Sequence, residues 1–144
     1  MSEYDPNYIE VKNFYLLGVK TVLINSKNEV LLLRRSELSP RPGGIDLPGG
    51  AVDAHESPED AAIRETFEET GIVIDSAKII TSEYTSGHKD PWVMLGFSAH
   101  VDTSEVVLSW EHDEYVWTPI EEVQSSELPD RYKHMVQEAF LARP

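Results

Sequence analysis

The chain has 144 residues, enough for one compact domain that buries about two-thirds of the surface its unfolded form would expose. Its 12 Lys and Arg against 26 Asp and Glu leave a formal charge of −14, the wrong sign for gripping an extended nucleic acid through its phosphates. There is no cysteine, which excludes disulfides, thiolate nucleophiles and cysteine-ligated zinc. A small anionic substrate would be repelled by the same field, so phosphate chemistry in this chain requires a bound cation or a local basic patch.

In chain order, the opening MSEYDPNYIE has neither a basic patch nor an apolar run, and no stretch approaches the ~18 apolar residues that span a bilayer. A cytoplasmic protein without a membrane partner is expected. Residues 14–24 (FYLLGVKTVLI) and 30–35 (VLLLRR), separated by the turn-like NSKNE, read as paired strands. The segment SELSPRPGGIDLPGGAVDAHES is too rich in Pro and Gly for a helix or a central strand, and reads as a long loop containing at most a short strand. Loops of this length in compact domains tend to be functional.

Residues 57–70 give the clearest helix. Ser57 can cap it, Pro58 suits its first position, Asp60 completes the capping pattern and Gly71 favours a left-handed stop. Ile63 and Phe67, flanked by Ala62 and Thr66, make a modest apolar face for docking on a sheet. Beyond it, IVIDSAKIITSEY, PWVMLGFSAHV and the short YVWTP read as strands, and residues 130–141 as a closing helix with Tyr132, Met135, Val136 and Phe140 near helical spacing. Strands and helices thus alternate around a mixed sheet, the pattern of an α/β or α+β layered domain over residues 1–144 with no repeat or internal linker.

On the helix of residues 57–70, Glu65, Glu68 and Glu69 stand at i, i+3 and i+4, so their carboxylates share one face within a single turn. Like charges at that spacing cost a few tenths of a kcal/mol per pair, and the C-terminal half of a helix disfavours anions. A hard divalent cation reverses the balance, because Mg²⁺ takes carboxylate oxygens, water and substrate phosphate as ligands. Three glutamates alone would also describe an ordinary solvated helix face. The flanking residues decide between the two: Gly50 is followed by Glu56, Arg64-Glu65, Glu68-Glu69, Gly71 and Ile72 in fixed order. The stretch LPGGAVDAHESPEDAAIRETFEETGI resembles the complete signature of the Nudix hydrolase family (MutT-like), and VLLLRR and EHDEYVW on either side also look like it. Thr66, where a larger aliphatic is frequent, and Ile45, where an aromatic is frequent, are departures that touch packing and substrate fit but no carboxylate.

The resemblance implies a Nudix-type sandwich, a mixed β-sheet between helices. It implies that Glu65, Glu68 and Glu69 bind Mg²⁺ or Mn²⁺ or activate water, with the Gly49 carbonyl as a further ligand, while Glu56 and Arg64 are structural partners of opposite charge. Of the acids in WEHDEYVW, Glu111 best matches a glutamate that family members place on a loop ahead of a strand, as a metal ligand or base. Glu114 instead begins the strand, and the alternative is that all these acids are solvated loop charges. Arg34, Arg35 and Arg41, the nearest basic residues, are candidates for orienting phosphates. His88, His100 and His112 lack metal-ligand spacing and read as ordinary histidines. Trp92, Trp110 and Trp117 read as core packing, with Tyr84 and Trp92 as candidate pocket walls.

Without cysteine or an evident serine triad, a covalent route lacks a nucleophile, whereas metal-activated water needs only carboxylates and a cation. The expected enzyme is a monomeric or homodimeric hydrolase that cleaves the phosphoanhydride of a small nucleotide such as a nucleoside triphosphate or nucleotide sugar. A non-catalytic nucleotide-binding module and an RNA 5′-end pyrophosphohydrolase are the rival readings. Family subgroups acting on ADP-ribose or dinucleoside polyphosphates often carry a marker proline or tyrosine past the signature. Gly87, His88, Lys89 and Asp90 stand there instead, so the sequence does not choose the substrate.

Overall fold

The computed structural model describes residues 3–10, 12–86 and 89–143, so Gly87 and His88 lie outside the described residues. Its elements are β1 (Leu16–Ile24), β2 (Glu29–Arg35), β3 (Ile45–Asp46), β4 (Gly49–Ala51), α1 (Pro58–Thr70), β5 (Lys78–Thr85), β6 (Trp92–His100), β7 (His112–Pro119), α2 (Ile120–Val123) and α3 (Asp130–Leu141). One mixed sheet runs β3-β2-β1-β6-β5, with β4 paired to β1 and β7 to β2.

The two runs expected to pair meet only at Ile24 and Val30, across a turn organised by Asn25, whose Oδ1 accepts from the Lys27 and Glu29 amides at 3.0 Å each. Beyond that contact they splay. The edge of β1 is taken by β4 at Gly18, Val19 and Lys20, while β2 turns to β7 and to β3. The other edge of β1 lies parallel to β6 along its whole length, from Leu16 opposite Trp92 to Ile24 opposite His100. This splay opens a gap between β1 and β2 into which the Gly-rich loop inserts, and it places that loop beside α1.

Strand alternation sends the side chains of β1 to two faces. Val22 and Ile24 pack with Val30, Leu32, Tyr132, Met135 and Val136 under α3, whereas Val19 packs with Ala61, Ala62 and Phe97 under α1. A further cluster joins Leu23, Leu31 and Leu33 to Ile72, Ile74 and Val101. Burying each such side chain contributes about 1.5–3 kcal/mol. Among the described residues no helix is long and apolar enough to cross a membrane.

Both ends of α1 form as expected. Ser57 Oγ accepts from the Asp60 amide at 3.1 Å, and Gly71, at φ 70°, donates its amide to Phe67 O at 2.8 Å. The docking face differs from expectation. Ala61, Ala62, Thr66, Glu69 and Thr70 are buried, Ile63 only partly, and Phe67 is 55% exposed. Small residues face the sheet, where Ala61 and Ala62 pack against Val19 and the Phe97 ring. Three more differences follow from the sheet. Residues 72–77 are not strand, β7 begins at His112 so that Asp113 and Glu114 belong to it, and the short α2 follows β7.

Candidate active site

The acidic residues of α1 occupy three different environments. Glu69 is 2% exposed and accepts from the Gly49 amide through Oε2 at 2.9 Å. Burial pushes its carboxyl up to about 8, with Glu111 and Glu65 adding to the rise against the opposing pull of Lys20 and the Gly49 amide. Glu65 is raised mainly by burial, with Glu68 and Glu111 contributing, while Arg64 holds it down. Glu68, the most exposed of the three, meets only the Arg64 guanidinium, at 3.2 Å.

Arg64 ties the loop to the helix. Its Nε and Nη2 donate to the two Glu56 oxygens at 3.1 and 2.6 Å, its Nη1 to Glu65 at 2.9 Å, and its Nη2 also to the Ala51 carbonyl at 3.2 Å. Glu56 in turn accepts from the Asp53 amide at 2.8 Å, and the Arg64 hydrogen bonds hold its carboxyl down to about 2. The expected pairing of Glu56 with Arg64 is therefore present as a forked contact, and Arg64 Nη1 also bridges Glu65 and Glu68. Removing the guanidinium would leave four carboxylates, Asp53, Glu56, Glu65 and Glu68, without their cation. Arg64→Ala should lower stability by about 1–3 kcal/mol near neutral pH, read by denaturant unfolding, besides impairing any activity. Because the Glu56 carboxyl is depressed on folding, its share of that stability is present above its ordinary value of 4.5 and fades as pH falls through about 2.

In front of this cluster lies a cleft of about 390 Å³ whose walls include Lys20, Arg35, Arg41, Gly49, Gly50, Trp92, Glu111, Arg131 and Tyr132. Glu111 sits in the turn before β7, where its carbonyl accepts from the Ser36 amide at 2.9 Å, and it enters the cleft and acts on both Glu65 and Glu69. Glu114 does neither: it pairs with Arg34 at 3.1 Å. Gly50 gives the floor its shape, since a Cβ there would stand 2.5 Å from Glu65 Oε1.

The candidate arginines separate. Arg35 and Arg41 line the cleft, but Arg34 does not join them, being held by Asp113 at 2.8 Å and by Glu114. Neighbouring strand residues project oppositely, and a register shift against β7 falls between Arg34 and Arg35. Arg35 reaches Asp46 at 2.9 Å, and Asp46 also holds Lys20 at 2.7 Å. Burial alone would discharge this pair, but each partner keeps the other ionised, Asp46 below its ordinary range and Lys20 above. Sequence reasoning missed Lys20, Asp46 and Arg131. A lysine within an apolar strand run is the one local signal that was available, since it must either face solvent or find a buried acid.

Trp92 and Tyr84 also separate, Trp92 lining the cleft and Tyr84 standing 61% exposed outside it. Trp110, expected in the core, is 63% exposed, while Trp117 packs against the apolar cluster around Leu31. His100 is exposed. His112 is buried with both ring nitrogens unpartnered, and burial holds it down to about 4. A larger hollow of about 650 Å³, between residues 72–78, 98–103 and the end of α3, contains none of the acidic cluster.

Among the described residues no three acidic or histidine side chains already converge at metal-holding distance. Arg64 draws Glu65 and Glu68 together, and Glu69 is turned to the Gly49 amide. The donor chemistry nevertheless fits a hard divalent cation: carboxylate oxygens from α1 and the Glu111 turn around a glycine floor.

Comparison with known proteins gives the family. The NUDIX domain model matches residues 15–139. An uncharacterized Nudix hydrolase of Bacillus subtilis (strain 168), YvcI, is 32% identical over 117 residues, 77% of this chain and 71% of its own. An ADP-ribose pyrophosphatase of Methanocaldococcus jannaschii is 39% identical over 69 residues, but these span only 48% of this chain and 40% of that protein. The crystal structure of a MutT protein from Methanosarcina mazei Go1 superposes with a TM-score of 0.80 at 32% identity, covering 92% of this chain and 97% of that one. With the family model covering most of the chain and the fold and signature both in place, this protein belongs to the Nudix hydrolase family.

Proposed function

We propose that the cleft hydrolyses the phosphoanhydride bond of a nucleoside diphosphate derivative, a nucleoside triphosphate or a nucleotide sugar, with Mg²⁺ or Mn²⁺. The observation that carries this reading is the meeting of Glu111 with the acids of α1 at the head of a cleft that is otherwise basic. In an acidic chain the sign of the field is reversed locally, which a phosphorylated substrate needs. That one relative is named an ADP-ribose pyrophosphatase supports the substrate class.

Glu65, Glu69, Glu111 and the Gly49 carbonyl would hold the cation, and Glu68, more exposed than Glu65 and Glu69, would leave Arg64 to complete the ligand set or take a proton from water. When bound, the divalent ion neutralises phosphate charge and lowers the pKa of the attacking water. Arg41 orients the phosphates. Arg35 and Lys20, both held by Asp46, fix the backbone leading to the glycine floor, because Lys20 also donates to the Leu47 carbonyl at 3.1 Å.

The experiment compares Glu111→Gln with Glu114→Gln. Loss of a ligand or base at Glu111 should lower kcat at least about tenfold, whereas Glu114→Gln, which only frees Arg34, should change it little. The reverse ranking would move the role to Glu114. Two silent substitutions would confine the chemistry to α1.

A further inference from the structure

Arg131 stands on the first turn of α3, half-buried, with its guanidinium 4.7 Å from the centroid of the Tyr132 ring. The same ring carries Lys20 Nζ at 5.4 Å. Of the cleft's four cationic side chains, Lys20 and Arg35 are both committed to Asp46. Among the described residues neither Arg41 nor Arg131 forms an ion pair with a carboxylate, although acids outnumber bases about two to one in this chain. With its guanidinium over Tyr132 and no carboxylate partner among the described residues, Arg131 keeps its N–H donors available to an anion. Arg41 is held at φ 57°, a left-handed backbone that a non-glycine residue adopts only at a cost, and the loop around it carries that cost to present the residue at the cleft.

We propose that Arg131, with Arg41, binds a phosphate of the substrate lying beyond the pair that is cleaved. This inference rests on the phosphoanhydride reading above and deepens it. A divalent ion and the glycine floor meet the charge of the scissile pair, so two further uncommitted guanidiniums call for further phosphate charge. A neutral sugar in that position offers hydroxyls but no charge. Arg131 is on this account a specificity-determining residue: it favours nucleoside triphosphates over nucleotide sugars of the same base.

The test is equilibrium binding, with Mg²⁺ present, of two methylene-bridged analogues that resist cleavage, a nucleoside triphosphate and a nucleoside diphosphate sugar sharing one nucleoside. Arg131→Gln, which keeps most of the stem over Tyr132, should weaken the triphosphate analogue at least about tenfold and the sugar analogue less than about threefold. Arg131→Lys, which keeps charge but loses the fork, should fall between, and it carries the test if the Gln variant does not fold. Equal weakening of both analogues, or of neither, would overturn the role of Arg131 while leaving the phosphoanhydride reading intact. Failure of the unaltered protein to bind either analogue would overturn both.

Discussion

Glu69→Gln should abolish most turnover, by about 10²–10⁴-fold, while the protein stays folded. Glutamine keeps the acceptor that receives the Gly49 amide, so the buried end of α1 loses no hydrogen bond, only the capacity for charge. A second consequence separates this residue from a merely structural one. In metal-free protein the Glu69 carboxyl lies near 8, raised by burial from an ordinary 4.5. A group whose pKa is raised on folding lends stability that is fully present below its unfolded value and lost as pH rises through its folded value. Metal-free protein should therefore lose stability between about pH 4.5 and 8, and Glu69→Gln should flatten that slope. Metal binding should tighten over the same window and release a proton. Calorimetric unfolding at several pH values, with chelator and with Mg²⁺, reads both effects. Near-normal turnover in the variant, or an unchanged slope, would remove Glu69 from the site.

Gly50→Ala should fold and yet be disabled, whereas Gly49→Ala should fail to fold. At position 50 the three atoms nearest the added methyl all belong to the Glu65 carboxylate, at 2.5, 2.7 and 2.9 Å, and a flexible side chain can swing away. Swinging away removes a cation ligand and disturbs the contact with Arg64, so turnover should drop at least about tenfold with little change in melting temperature. At position 49 the methyl would stand 2.0 Å from the Val19 carbonyl, where β4 pairs with β1, at a φ of 153°. Backbone cannot yield there, and the cost should exceed about 4 kcal/mol. Expression, melting temperature and kcat of the two variants decide the matter. An active Gly50→Ala enzyme would show that Glu65 does not need its present place.

The neighbouring glycines illustrate what the chain reveals and what it hides. Room for a close backbone approach could be expected from LPGG, but that a Cβ at Gly49 would strike the β1 backbone while one at Gly50 would strike the Glu65 carboxylate depends on β4, a three-residue strand with no pattern of its own. The ends of α1 were legible because capping is local, written in Ser57, Pro58, Asp60 and Gly71. Its buried face was not, because hydrophobicity favours Phe67 while the face turned to the sheet carries Ala61, Ala62, Thr66, Glu69 and Thr70. The family resemblance singles out Glu111 by its offset before Trp117, and Glu111 lines the cleft. Lys20 and Arg131 come from distant segments, and only the splay of β1 from β2 and the return of α3 bring them to one cleft, with Asp46 behind it holding Lys20 and Arg35. Arg34 and Arg35 look equivalent in sequence and part company at the irregularity against β7.

The most direct test incubates the purified protein with nucleoside triphosphates and nucleotide sugars, with Mg²⁺ or with excess chelator, and identifies the phosphorus-containing products. The account predicts a nucleoside monophosphate and the remaining phosphate-bearing fragment from at least one of these compounds, formed with metal and lost with chelator. Full turnover in chelator, or no cleavage of any phosphoanhydride with metal present, would contradict it.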